Sequence, residues 1–307
     1  VDCAIETERL TGGYGNRMVV CGFAMQVPRG AVYGFLGPNG AGKTTVLRLL
    51  LGLLRPAAGS IRVFGQELGA ALPGILRRVG SLIEQPSLYE HLTGRENMEI
   101  ARRLKGLPRD AADQAIQALG IADYAGHAVR EYSRGMRQRL GIAMAMLGNP
   151  ELLVLDEPMN GLDAGGLRTF RELAERLNRE HGTTVLVSSH QLQELDRMAT
   201  HIGIIDDAGE LRFQGTRAEL SERIPQELVI RVDRREEALR VLSAGGMAVE
   251  ARRGHFVIHG ATQETAREVN RLLVEHGVGV HHLAVELATL QSLFVKVTGY
   301  PSGVDSN

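Results

Sequence analysis

Residues 37–44 read Gly37-Pro38-Asn39-Gly40-Ala41-Gly42-Lys43-Thr44, and Thr45 follows. They fill every fixed position of the pattern G-x-x-x-x-G-K-[ST]. Ahead of them lies the apolar run Ala31-Val32-Tyr33-Gly34-Phe35-Leu36, which reads as a buried strand. Behind them lies Val46-Leu47-Arg48-Leu49-Leu50-Leu51-Gly52-Leu53-Leu54, a helix apolar over most of its circumference. Strand, glycine loop and helix together turn the string into a phosphate cradle. Glycines 37, 40 and 42 let the backbone curl so that successive N–H groups face an anion. The helix that begins near Lys43 aims its positive end at the same point. Lys43 is expected to reach the β- and γ-phosphates and the Thr44 hydroxyl to ligate Mg²⁺. The pattern implies a nucleoside triphosphate site.

The totals narrow the field. A chain of 307 residues suggests two domains, and 44% apolar residues suffice for full cores. A net charge of −1 argues neither for a nucleic-acid partner nor for a disordered acidic tail. Two cysteines, Cys3 and Cys21, are too few for a disulfide framework and are read as reduced thiols in a cytosolic protein. No run approaches the roughly 18 apolar residues that span a bilayer. The opening Val1-Asp2-Cys3-Ala4-Ile5-Glu6 lacks the charged and apolar zones of a signal peptide. A soluble product is expected, with any membrane role supplied by a separate partner.

Residues 3–35 alternate, with turn signals at Gly12-Gly13 and Pro28-Arg29-Gly30, and read as strands. Tyr14, in a chain with 4% aromatics and no Trp, either stacks on a purine or is an ordinary strand-end tyrosine. Further strands are expected at 59–65 and 78–83, the latter running into Glu84-Gln85-Pro86. The text then turns helical. Thr93-Gly94-Arg95-Glu96 has the form of a capping box, a second helix runs from 110 to 119, and Ser133 is the expected N-cap of a third that ends near 147. A helical insert of about 60 residues, at 86–148, far exceeds an ordinary βα connection.

The α/β pattern resumes with the strand 151–156. A helix follows with Leu167, Phe170, Leu173, Ala174 and Leu177 on one face. Next come a strand at 183–189, a helix at 191–199, a strand at 202–206 and a hairpin return at 209–215. Pro225 opens a different text, whose order βαββαβ is that of a ferredoxin-like domain. The expected organisation is an α/β P-loop NTPase domain over 1–222, an α+β ferredoxin-like accessory domain over 225–299, and a frayed tail over 300–307. His281-His282 falls in a strand of that second domain and is read as one core and one surface residue.

Chemistry needs a second acidic strand end, and Asp156 supplies it after Leu152-Leu153-Val154-Leu155. The first carboxylate after a buried strand sits at the sheet's carboxyl edge, where ligands bind in open α/β sheets. Asp156 is expected to hold Mg²⁺ and Glu157 to accept the proton of an attacking water.

Residues 37–44, Tyr132-Ser133-Arg134-Gly135-Met136, Leu152 to Glu157, Gly161-Leu162-Asp163 and His190 stand in the order and spacing of ATP-binding cassette (ABC) ATPases, which residues 1–220 resemble. The resemblance implies ATP and Mg²⁺ as cofactors and a homodimer with two composite sites. It also implies that Ser133 and Gly135 belong to a signature motif facing the γ-phosphate held by the other protomer. By the same resemblance His190 is the switch histidine, Asp163 the loop aspartate that couples the two sites, and Tyr14 the adenine-stacking aromatic. Three departures stand out. Tyr132, Arg134 and Met136 replace three of the five residues of Leu-Ser-Gly-Gly-Gln, with the phosphate-facing pair kept. Glu84 stands where most members carry a metal-contacting glutamine, with Gln85 one step later, and Glu84 is assigned the role. After the base the chain reads Pro158-Met159-Asn160.

Ile83-Glu84-x-Pro86 with Tyr132 to Met136 resembles the ATPase subunits of bacitracin- and lantibiotic-type exporters. The implied function is an ATP-hydrolysing subunit that powers export of an antibiotic peptide or drug through a separate membrane permease, received at residues 84–90. It would lie in the cytoplasm, on the inner face of the cell membrane. Two other readings compete: a soluble ABC ATPase on ribosomes or DNA, and an ATPase regulated by a ligand of residues 225–307. Soluble relatives usually join two cassettes in one chain or carry coiled-coil or zinc insertions, which this sequence lacks, and its neutral charge argues against nucleic acid.

Overall fold

The structure is a computed structural model that describes residues 2–222, 226–286 and 290–299. The chain divides into two compact units, 1–217 and 218–307. The expected break at Pro225 and the expected tail at 300–307 lie outside the described residues.

The first unit opens with β1 (Cys3–Tyr14), β2 (Arg17–Phe23) and β3 (Gln26–Pro28), then β4 (Val32–Leu36) and α1 (Lys43–Leu50). Next come β5 (Ala58–Val63), β6 (Gln66–Glu67), α2 (Leu72–Leu76) and β7 (Val79–Leu82). The helical stretch holds α3 (Gly94–Leu104), α4 (Asp110–Ala118) and α5 (Arg134–Met146). The α/β pattern returns with β8 (Leu152–Asp156), α6 (Ala164–His181), β9 (Thr184–Ser189), α7 (Leu192–Met198), β10 (His201–Ile205) and β11 (Leu211–Thr216).

Among the described residues a six-stranded sheet runs β11-β10-β4-β9-β8-β7, parallel except for the β10–β11 hairpin. β4, β8 and β9 are buried along their whole lengths. That burial is why they read as unbroken apolar runs: helices and the second sheet leave a parallel strand no wet face. The second sheet, order β2-β1-β5-β6 with β3 also on β1, is antiparallel. Register does the placing. Leu36 pairs with Ser189 and Asp156 with Ser188, so the chain leaves β4, β8 and β9 at one common edge. Gly37, Glu157 and His190 are the next residues along.

The helix starts follow the sequence closely. Thr93 caps α3 through a complete capping box with Glu96, Ser133 Oγ accepts from Met136 N, and Gly182 closes α6 in a left-handed turn at φ 66°. One end differs from expectation. α1 stops at Leu50 rather than near 54, because Gly52 turns left-handed at φ 68° and Leu53 faces solvent.

After α8 (Arg217–Glu222), the second unit holds β12 (Glu227–Val232), α9 (Arg235–Ala244), β13 (Glu250–Arg252), β14 (His255–His259), α10 (Gln263–Glu275), β15 (Val280–Glu286) and α11 (Leu290–Thr298). Its sheet, among the described residues, is antiparallel in the order β13-β14-β12-β15, the ferredoxin-like arrangement. Leu228, Ile230, Phe256, Ile258, Val269 and Leu273 form its core. The expectation for the histidine pair is corrected here. His281 and His282 are both exposed, because a bulge where β15 pairs with β12 adds a residue there and sets both between Val280 and Leu283, which pack on the core.

Candidate active site

The phosphate loop needs its glycines for two different reasons. Gly40 and Gly42 take φ of 86° and 98°, a region costly for a residue with a Cβ. Gly37 lies so close to the neighbouring strand that a Cβ there would stand 2.8 Å from the Ile205 carbonyl oxygen. Lys43, buried at 6% exposure, folds back over the loop and donates from Nζ to the carbonyls of Gly37 (2.7 Å) and Pro38 (3.1 Å). Its Nζ is 3.6 Å from Glu157 Oε1. Burial pulls the Lys43 pKa below the ordinary lysine value, and the charges of Glu157 and Asp156 pull it part of the way back. Pro38, Asn39, Ala41 and Thr45 complete the loop, with Asn39 exposed at its tip and Thr45 buried behind it.

The edge carboxylates are held by named partners. Thr44 Oγ1 donates to Asp156 Oδ2 at 2.6 Å, and Ser188 Oγ donates to Asp156 Oδ1 at 2.5 Å. The same Ser188 Oγ accepts from Glu157 N at 3.0 Å. Glu157 sits in the left-handed region at φ 47°, a strained setting for a non-glycine residue. Its Oε2 is 2.9 Å from His190 Nδ1. One strand end, one loop and one helix start thus bring Lys43, Thr44, Asp156, Glu157 and His190 together.

Glu84 stands nearby in the loop after β7. A cavity of about 630 Å³ is lined by Glu84, Thr44, Asp156 and Glu157 and, from the helical side, by Arg134 and Gln138. Tyr14, at the end of β1, is reached through Arg48, which bonds its hydroxyl.

Ser133, Gly135 and Asp163 form a second group, and none of them lines that cavity. Ser133 caps α5. A Cβ on Gly135 would lie 2.7 Å from the Gly161 carbonyl oxygen, so only glycine lets α5 meet the loop before α6. Asp163 caps α6 through Gly166 N at 2.9 Å and pairs with Arg139. That backbone bond, and then Arg139, hold its pKa below the ordinary carboxylate range.

Three participants escape a reading of the sequence. Ser188 gives no sign beyond ending an apolar strand, Arg139 looks like one of several arginines on a helix start, and Arg48 looks like the wet face of α1. Their partners lie 32, 24 and 36 residues away. Spacing along the chain cannot show such pairs.

A glycine loop between strand and helix, with a buried lysine and two carboxylates at the same sheet edge, defines a P-loop nucleotide-hydrolysing protein. Comparison with known proteins sharpens that class. The ABC transporter family model matches residues 20–160. The bacitracin transport ATP-binding protein BcrA of Bacillus licheniformis is 37% identical over 96% of this chain and 97% of its own length. The lantibiotic transport ATP-binding protein SrtF of Streptococcus pyogenes is 38% identical over 66% of this chain and 86% of its own. Among solved structures, a dimeric bacterial ABC transporter cassette superposes with a TM-score of 0.62 at 25% identity, covering 69% of this chain and 98% of that one. The chain belongs to the ATP-binding subunits of the ABC transporter family: it binds ATP and is an ATPase coupled to transport. No helix among the described residues is long and apolar enough to cross a membrane.

Proposed function

We propose that this chain powers an exporter for an antibiotic peptide or drug, working on the inner face of the membrane against a separate permease. The names of the bacitracin and lantibiotic relatives support the substrate class. The observation that carries the catalytic reading is the contact of Glu157 with both Lys43 and His190, beside the Thr44–Asp156 pair.

ATP lies along residues 37–45, its adenine against Tyr14. Lys43 turns its ammonium from the loop carbonyls to the β- and γ-phosphates. Thr44 and Asp156, with Glu84 on the same cavity, are hard oxygen donors of the kind Mg²⁺ takes together with phosphate oxygens and water, so the set fits that ion. When bound there, Mg²⁺ neutralises charge on the triphosphate. Glu157 accepts a proton from the water that attacks the γ-phosphorus as the bond to ADP breaks. His190, 2.9 Å away, orients that carboxylate. Ser133 and Gly135 approach the γ-phosphate from a second copy of the chain, and Asp163 couples the two sites. The dimeric arrangement of the neighbouring cassette structure supports this. Residues 84–90 receive the permease. Residues 1–222 act as the cassette, and residues 225–299 as an accessory domain that extends the dimer. No nucleic-acid partner enters this scheme.

Glu157→Gln tests the assignment. It keeps the shape and removes the base, so turnover falls by roughly 10²–10⁴-fold while ATP binding persists. The ATP-bound dimer should accumulate in light scattering. Turnover within tenfold of the wild type, or a monomer under saturating ATP, defeats the scheme.

A further inference from the structure

Three side chains from three elements meet at Arg48, four residues past Thr44 on the helix that follows the phosphate loop. Arg48 on α1 donates from Nη1 to the Tyr14 hydroxyl at 2.8 Å and from Nη2 to Glu84 Oε1 at 2.7 Å. Its guanidinium carbon lies 5.8 Å from the centre of the Tyr14 ring. Thr44 and Arg48 are four residues apart on one face of α1, and the other residues of that helix are buried. The Glu84 carboxylate is bonded to Arg48 while Thr44 and Asp156 bond each other, although all three border the same cavity. Glu84 holds its place with a left-handed φ of 60°. That conformation is uncommon for a glutamate and is held by the surrounding structure.

We propose that Arg48 is a positioning residue, a latch that withholds Glu84 from the metal side of the site and shares its guanidinium with Tyr14. Glu84 leaves Arg48 to face Mg²⁺, and Arg48 is then held by Tyr14 alone. Base platform and metal-side loop are thereby coupled. The inference rests on the reading above that Tyr14 faces adenine and Glu84 the metal.

The test measures binding by calorimetry on the full-length chain, with β,γ-imido-ATP in the presence and absence of Mg²⁺. The readout is the ratio of the two affinities. Both partners are partly exposed, so releasing the pair costs little, and Arg48→Met should raise the ratio about two- to five-fold. Arg48→Lys keeps a cation and should stay near the wild-type ratio. Tyr14→Phe keeps the ring, removes the acceptor and should raise the ratio by less than about twofold, but have no effect once Arg48→Met is present. An unchanged or lowered ratio in Arg48→Met, in a chain where Glu84→Gln does shift it, overturns the latch alone. An equal effect of Tyr14→Phe with and without Arg48 does the same. No effect of Glu84→Gln means that Glu84 does not face the metal, and both the latch and that part of the functional reading fall.

Discussion

Ser188 is fully buried on β9, directly opposite Asp156 in the parallel register. Its hydroxyl serves both edge carboxylate residues, donating to Asp156 Oδ1 at 2.5 Å and accepting from Glu157 N at 3.0 Å. Ser188→Ala removes one oxygen and fits without strain. Glu157 N still has the Ser188 carbonyl at 3.1 Å, so its loss is partly covered. Among the described residues Asp156 Oδ1 has no second side-chain donor to take its place, and the residue is only 2% exposed. A hydrogen bond to a charged group contributes about 1.5–3 kcal/mol, which sets the expected destabilisation. With an m-value of about 2–3 kcal/mol/M, the urea midpoint should fall by about 0.5–1.5 M. Tyrosine fluorescence reads this unit selectively: the chain has no Trp, and five of its six tyrosines, at 14, 33, 89, 124 and 132, lie before residue 217. Ser189→Ala is the control, since its hydroxyl accepts a neutral N–H, from Gln191 at 2.9 Å, and no charged partner among the described residues. Its shift should be smaller, about 0.5–1.5 kcal/mol. A Ser188→Ala midpoint within about 0.2 M of the wild type, or no lower than that of Ser189→Ala, would refute the argument that Ser188 neutralises the cost of burying Asp156.

Two further outcomes follow from particular contacts. Gly135→Ala sets a Cβ 2.7 Å from the Gly161 carbonyl, so the loop that carries Asp163 must retreat. ATP affinity of the chain should hold while turnover drops about 10²-fold, and a variant with unchanged turnover would show that this loop has no part in the reaction. In the second unit, Arg252 and then His259 pull the Glu250 carboxyl down to about 2. A depressed pKa stabilises the fold above the unfolded value, about 4.3, and that contribution disappears as pH falls toward 2. The difference in Tm between wild type and Glu250→Gln should therefore be full at pH 6, shrink below 4.3 and weaken with salt, since the side chain is half exposed. A difference that stays constant down to pH 2 contradicts the ion pairing.

The resemblance to the family was legible because phosphate chemistry restricts short, contiguous stretches. Residues 37–44 must supply glycine conformations and a lysine at fixed offsets, and the Leu152–Asp156 strand must be apolar until its last residue. The capping box at Thr93 and the cap at Ser133 were legible for the same reason, since each is satisfied within one turn. Where an error arose, it came from surroundings. Alternation in β15 assigns His281 and His282 to opposite faces, but a bulge against β12 interrupts the alternation there and leaves both exposed, and only pairing with that partner strand creates the bulge.

Taken alone, then, the sequence determined the kind of fold, the loop that cradles phosphate and the residue types at the sheet edge, because local backbone geometry and burial dictate them. The tertiary structure alone decided who holds whom: Ser188 on Asp156, Arg139 on Asp163, and Arg48 between Tyr14 and Glu84. Those partners come from separate strands and helices. Only the register of β8 against β9 and the packing of α1 and α5 bring them within hydrogen-bond reach, and no spacing along the chain encodes that distance.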